Sequence, residues 1–251
     1  MVDIHCHVLP GLDDGSPDLE TSIAMCQSAV EDGVTHVVGT PHCSDEYEFS
    51  WEVNQQRRDE LQSAVGKTPQ LLLGCDFHLN DINMELLKVA AAPFLIAQKN
   101  HLLVENSNYS LPPMMEQMFY NMVCRGIIPV LTHPERNPLW QRKTDLLAKV
   151  AQQDCVVQIT AGSFTGRFGK NPQKYAMQWL KEGLVHVVAS DAHNTTSRPL
   201  KLKDAFNVVA NEMGAETADL LFEHNPRAII EGKQTYRPAP PKKRKWGFLG
   251  F

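Results

Sequence analysis

Short apolar runs alternate with longer amphipathic stretches along most of the chain. Runs at 2–8, 34–40, 70–76, 101–105, 127–133, 155–161 and 184–191 are brief and rich in valine, isoleucine and leucine, which predicts seven buried strands. The stretches between them carry helix signals. Leu19, Ile23, Cys26 and Val30 follow one helical face, Ser16 and Pro17 offer a cap and a first-turn proline, and Gly33 offers a stop. Residues 112–126 repeat the plan, with proline first and Arg125-Gly126 last. Nearly continuous apolar strands alternating with helices predict a parallel sheet. Seven of them suit a barrel related to the eight-stranded one; an open doubly wound sheet has the same periodicity.

Composition narrows the class. A chain of 251 residues with 43% hydrophobic content supports one large α/β domain and excludes wholesale disorder. A net charge of −5 argues against a nucleic-acid binder. The six cysteines include no C-x-x-C pair, which excludes a zinc ribbon and suits buried free thiols. The apolar run 89–97 is short and broken by Pro93, so it does not predict a membrane span. Asp3, His5 and His7 stand where a signal peptide would be basic and apolar. The expectation is a reduced, soluble, cytoplasmic domain over residues 1–235. A proline, basic and aromatic tail at 236–251 follows, expected to be flexible and solvated. Its functional alternative is contact with an anionic membrane surface or a membrane-bound partner.

The chemistry gathers at strand ends. The runs finish in His5-Cys6-His7, Thr40-Pro41-His42, Cys75-Asp76, Val104-Glu105, Thr132-His133 and Ser190-Asp191-Ala192-His193. Six of seven strands thus place His, Asp or Glu where barrel enzymes build their sites. Residues two apart in a strand share a face, so His5 and His7 point together, as do Asp191 and His193 if the strand continues. Imidazole mixed with carboxylate suits manganese, iron or zinc better than magnesium. His5, His7, His42, Asp76, Glu105, His133, Asp191 and His193, with the acidic loop Asp13-Asp14 beside them, offer more donors than one ion takes. Two or three ions with bridging carboxylates follow, a multinuclear hydrolase pattern. His36, His101 and His186 fall at strand starts and read as structural, and His224 as a surface residue. Arg136 and Arg198, just past two of these ends, have the planar fork that matches phosphate; pairing with Glu135 or a helix end is the alternative. Tyr47, Phe49 and Trp51, or Phe164 and Phe168, can line the mouth for an aromatic substrate or simply anchor loops.

The opening D-I-H-C-H-V-L-P-G-L-D-D-G, then T-P-H, L-T-H-P-E-R-N and A-S-D-A-H-N, resemble the polymerase-and-histidinol-phosphatase (PHP) superfamily. More narrowly, they resemble its bacterial capsule-type, manganese-dependent protein-tyrosine phosphatases, over most of residues 1–235. The resemblance implies a distorted, TIM-like (β/α)7 barrel with three metals. One would use His5, His7, Asp76 and Asp191; a second Asp76, Glu105 and His133; a third Asp14, His42 and His193. Arg136 and Arg198 would hold phosphate, and the substrate would be a tyrosine-phosphorylated bacterial kinase of polysaccharide synthesis and export. The chain departs from the pattern at Asp76, where the family usually has glutamate, at His78, where it usually has arginine, and at Cys43, where a second histidine is common.

The implied mechanism is in-line attack on phosphorus by water activated at the metals, with His42 as the general-acid candidate when its metal is absent. Cysteine-based chemistry needs an arginine six residues after the nucleophile. Leu12, Asp32, Phe49, Asp81, Val130 and Ala161 occupy those places, which excludes it. Three rivals remain: another PHP phosphoesterase acting on histidinol phosphate or a nucleotide, a metal-dependent amidohydrolase, and a weakly active metal-bound module that docks a kinase. The arginine pair speaks against the amidohydrolase.

Overall fold

The computed structural model describes residues 1–239. Its strands are β1 (Val2–Cys6), β2 (His36–Gly39), β3 (His42–Cys43), β4 (Gln70–Leu73), β5 (Asp76–His78), β6 (His101–Glu105), β7 (Ile128–Leu131), β8 (Val156–Thr160) and β9 (Val187–Ala189). All named pairings among the described residues are parallel, in the orders β1-β2-β4 and β3-β5-β6-β7-β8-β9. Two of the expected strand paths are therefore each split in two. Pro41 has no N–H to give the ladder between β2 and β3. Between β4 and β5, Gly74 lies so close to its neighbours that a Cβ there would sit 3.1 Å from Val38.

Backbone bonds bridge these gaps, Gly74 N–H to Gly39 O at 3.0 Å and Asp76 N–H to Pro41 O at 3.1 Å. Past the end of β9, Asp191 N–H donates to His5 O and His7 N–H to Ala192 O, both at 2.9 Å. The fold is thus a mixed α/β one on a curled parallel sheet.

The helices are α1 (Leu19–Glu31), α2 (Trp51–Val65), α3 (Asp81–Val89), α4 (Met115–Cys124), α5 (Pro138–Arg142), α6 (Thr144–Ala151), α7 (Ala161–Phe164), α8 (Lys170–Lys181), α9 (Lys203–Met213), α10 (Ala215–Asp219) and α11 (Asn225–Glu231). The cap of α1 is Asp18, which accepts from Thr21 N–H at 2.8 Å. Ser16 is not free to cap: its N–H is bound to His7 O at 3.0 Å and its hydroxyl donates to Asp18 O. α4 begins at Met115, because the Pro112-Pro113 pair keeps residue 112 out of the helical region.

Two apolar layers result. Val2, Ile4, Val38, Leu103, Val130, Val156, Val187 and Ala189 form the inner core, closed from below by Ile229 and Ile230 of α11. The other faces of the strands pack on the helices, through residues such as Phe77, Leu102, Leu131 and Val157. A register shift between Asp3 and Cys6 in β1 re-aims the chain, so Ile4 joins the inner core while the next residue, His5, enters the polar cluster above it. His101 and His186 are buried below that core, and His224 is exposed. Residues 240–251, most of the expected tail, lie outside the described residues.

Candidate metal centre

The strand ends converge on one polar cluster. His5 and His7 point at each other, with their Nε2 atoms 3.3 Å apart. Both face Asp191 Oδ1 at 3.5 Å, and His5 Nε2 lies 3.5 Å from Asp76 Oδ2. His42 stands between two carboxylates, with Nδ1 at 3.1 Å from Asp76 Oδ2 and Nε2 at 3.3 Å from Asp14 Oδ1. His193 Nε2 also reaches Asp14 Oδ1 at 3.3 Å. His133 approaches Glu105 Oε1 at 3.7 Å and Asp191 Oδ2 at 4.0 Å.

Four groups have potential ligand atoms within 4.8 Å of one another: His7, Asp14, His42 and His193; His42, Asp76, His78 and Glu105; His5, His7 and Asp76; and His5, His133 and Asp191. All nine expected donors are therefore in the cluster. His133 gathers with His5 and Asp191 and also lies 3.7 Å from Glu105. His78 joins Asp76 and Glu105, with its Nε2 2.6 Å from Glu105 Oε2. Strand alternation does not explain Asp191 and His193, because β9 stops at Ala189 and Asp191 turns left-handed, at φ +52°. His133, at φ +33°, likewise lies beyond β7.

The outward nitrogens decide what the rings present. His5 Nδ1 donates to Gln158 Oε1 at 2.9 Å, His7 Nδ1 to Asp13 Oδ2 at 2.7 Å, and His193 Nδ1 to the Asp191 carbonyl at 3.1 Å. Each ring thereby turns Nε2 into the cluster, the arrangement by which acceptors orient metal-binding histidines. Both oxygens of Asp76 and Oδ1 of Asp191 are buried without a hydrogen bond. Buried, unpartnered carboxylate oxygens facing imidazole lone pairs fit a divalent cation, and nitrogen–oxygen donors of this kind suit manganese, iron or zinc.

Electrostatics agree. Burial disfavours a charged Asp76, yet His5 and His42 hold its carboxyl well below the usual range. Burial opposes charge on Asp191 too; His5 and Arg136 outweigh it. For His5, burial is overcome by Asp76 and Asp191, which raise it to about 9. His7, buried and only partly compensated by Asp13, falls to about 4. Glu105 is pushed up, first by burial and then by the charge of Asp76.

Arg136 and Arg198 both donate to Asp191 Oδ2, Arg198 through Nη2 at 2.6 Å. Glu135 is not their partner: its buried carboxylate accepts from Thr160 N–H at 3.0 Å and Ser163 Oγ at 2.6 Å. Tyr47 stacks on His42, with planes 18° apart and centroids 5.8 Å apart. Phe49 packs against Phe94, Trp51 against the main core, and Phe164 is buried, so these three are anchors. The Arg136 guanidinium sits 4.4 Å over the Phe168 ring. Burial pushes the Cys26 and Cys155 thiols up to about 12, far from a thiolate nucleophile.

A family model described as capsular polysaccharide synthesis, CpsB/CapC, matches residues 1–231. The chain belongs to the CpsB/CapC family. It is 32% identical to tyrosine-protein phosphatase YwqE of Bacillus subtilis, covering 99% of this chain and all of that one. It is 30% identical to tyrosine-protein phosphatase CpsB of Streptococcus pneumoniae, over 92% of this chain and 98% of that one. A solved structure from work on YwqE and CpsB, described as metal-dependent tyrosine phosphatases, superposes with a TM-score of 0.87 at 30% identity, covering 97% of this chain and 100% of the other. The Lactococcus lactis histidinol phosphate phosphatase shares the fold at a TM-score of 0.55 and 11% identity, covering 88% of this chain and 96% of the other.

Two contributors to this CpsB/CapC site, Asp13 and Gln158, carry no sign of their role in the sequence, and His78 stands out there only as a departure from the family pattern, a substitute ligand or a solvated residue. Asp13 is visible there only as half of an acidic pair, and nothing in the local pattern separates the residue that orients from the one that faces the cluster. His78 lies one register step from the ligand strand ends, opposite Glu105. Gln158 sits in the middle of β8, where alternation marks an inward polar residue but does not say which ring it serves.

Proposed function

We propose that this chain is a metal-dependent protein-tyrosine phosphatase whose substrate is a tyrosine-phosphorylated bacterial kinase of capsular or exopolysaccharide synthesis. The relatives' activity supports the reaction class. The observation in this molecule that carries it is the meeting of two guanidinium groups, from separate loops, on one oxygen at the lip of a histidine–carboxylate cluster. Two forks aimed at one point suit a tetrahedral dianion beside cations, and an uncharged amide has no use for them.

His5, His7, Asp14, His42, Asp76, Glu105, His133, Asp191 and His193 would hold two or three divalent ions, manganese foremost, with His78 as a further donor. Bound there, such ions supply Lewis acidity and lower the pKa of water toward neutrality. The chain's own groups do the rest. Arg136 and Arg198 bind the phosphoryl oxygens and spread the charge that builds on them. Asp13 and Gln158 hold His7 and His5 in register. His42, near the lip and between Asp14 and Asp76, is raised to about 11, the closeness of the two carboxylates overcoming burial. Where its own ion is absent, His42 would be the group that gives a proton to the leaving oxygen. Tyrosine, with a reference pKa of about 10, needs less of that help than an alkyl alcohol.

The same reading takes the fold as a (β/α)7 barrel, supported by the return of the β9 end to β1. It takes residues 1–235 as the catalytic unit and the cytoplasm as its setting, with the tail 236–251 a separate element. No helix among the described residues is long and apolar enough to cross a membrane. Turnover of a phosphotyrosine peptide beside a phosphoserine peptide and histidinol phosphate tests the substrate class. Preference for phosphotyrosine is expected, with Arg136→Ala and Arg198→Ala each lowering kcat/KM by about a hundredfold or more. Preference for histidinol phosphate, or turnover indifferent to both arginines, overturns it.

A further inference from the structure

Of the seven strand paths, the one through β8 brings no histidine or carboxylate to the cluster. Its contribution is different. Gln158 accepts from His5, and the turn after the strand, residues 161–169, touches both loops that carry the arginines. On one side, the Phe168 ring lies 4.4 Å beneath the Arg136 guanidinium, while Thr160 N–H and Ser163 Oγ fix the neighbouring Glu135. On the other side, Arg167 Nη1 donates to the carbonyl of Ser197 at 2.8 Å and to that of Thr196 at 3.4 Å, the two residues before Arg198.

The turn is tightly made. Arg167 N–H donates to Gly162 O at 2.9 Å. A Cβ on Gly162 would lie 2.8 Å from the Phe168 ring and 3.3 Å from Arg167 Cβ, so residues 167 and 168 pack directly on bare backbone.

We propose that Arg167 and Phe168 are positioning residues that yoke Arg198 and Arg136 into one phosphate-binding fork. The inference rests on the reading that these two arginines take the phosphoryl group. Arg136 and Arg198 come from loops after different strands, and a shared anion is bound well only if their separation is fixed beforehand. Phe168 offers the face of its ring to one guanidinium, and Arg167 ties down the backbone that presents the other. Arg167 acts by its two directed N–H bonds rather than by its charge, so lysine, a point charge without the planar fork, is a poor substitute.

The test uses the full chain with manganese and reads kcat, KM, inhibition by inorganic phosphate, bound metal and Tm. Arg167→Ala is expected to lower kcat/KM for a phosphotyrosine peptide about tenfold. Phosphate inhibition should weaken in step, with bound metal unchanged. Arg167→Lys should recover only part of the loss, and Phe168→Leu, which keeps an apolar side chain but removes the ring face, should lose about fivefold. Arg136→Ala and Arg198→Ala serve as the reference. If they lose phosphate affinity while Arg167→Ala and Phe168→Leu keep wild-type values, or if lysine restores Arg167 fully, the yoke is wrong. A lowered Tm with unchanged constants for the folded enzyme also overturns it. If all four variants keep wild-type phosphate inhibition, the fork reading fails and takes the yoke with it.

Discussion

Asp13 accepts a hydrogen bond from Nδ1 of His7 at 2.7 Å, and this contact decides which edge of the ring faces the cluster. The other oxygen of Asp13 accepts from Gly15 N–H at 2.9 Å, so the carboxylate is itself held in place. Removing such an orienting partner typically weakens metal binding by about 10–100-fold. Asp13→Ala is therefore expected to raise the manganese concentration needed for half-maximal activity by that factor. A manganese titration checks it, and an unchanged midpoint would remove Asp13 from the site.

Asp76 is the shared carboxylate of two donor groups and is fully buried. Asp76→Asn keeps its shape and discards the charge that attracts both His5 and His42. Turnover should fall by about 10³-fold, since metal-derived stabilisation amounts to several kcal/mol. Asp76→Glu probes the space instead. His42 Nδ1 already stands 3.1 Å from Oδ2, and His78 fills the far side, 3.2 Å from His42. One more methylene there overpacks the site and should cost about 1–3 kcal/mol in stability. Denaturant unfolding checks it; an Asp76→Glu protein as stable as the parent would show that the pocket has slack.

Acid should unfold this protein through buried histidines outside the polar cluster. His186 is buried at the floor of the sheet, where its Nδ1 accepts from Val157 N–H at 3.0 Å, and burial lowers it to about 3. The folded state thus binds the proton less readily than the unfolded chain, whose histidine titrates near 6.5. The stability this provides is complete above pH 6.5 and is lost as pH falls toward 3, at about 1.4 kcal/mol per unit. His101, lowered to about 4 by burial, adds to the same slope. Unfolding free energy measured from pH 7 to 5 should fall steeply, and His186→Asn should flatten the fall. An equal slope in the variant would contradict the assignment.

The sequence shows the strand paths and nearly all of the cluster, for a common reason. In a parallel α/β sheet the strand ends gather at one edge, so a ligand-type residue following an apolar run is already close to its fellows. It does not show where a strand stops. Pro41 and Gly74 split two strands, and Asp191 and His133 reach the cluster by left-handed turns rather than by alternation. The β1 register shift that lets Ile4 and His5 serve adjoining layers is equally silent. Contacts between distant segments are the least legible. Gln158 meets His5 across 153 positions, and Arg136 meets Asp191 across 55. Neither pairing leaves a local signature.

Metal dependence is tested most directly by phosphate release from a phosphotyrosine peptide by the full chain before chelation, after it, and after manganese is restored. Turnover should disappear with the metal and return with manganese, while the Asp191→Asn protein stays inactive throughout. Release that survives complete chelation, or that Asp191→Asn leaves intact, would contradict a metal-dependent phosphatase built on this cluster.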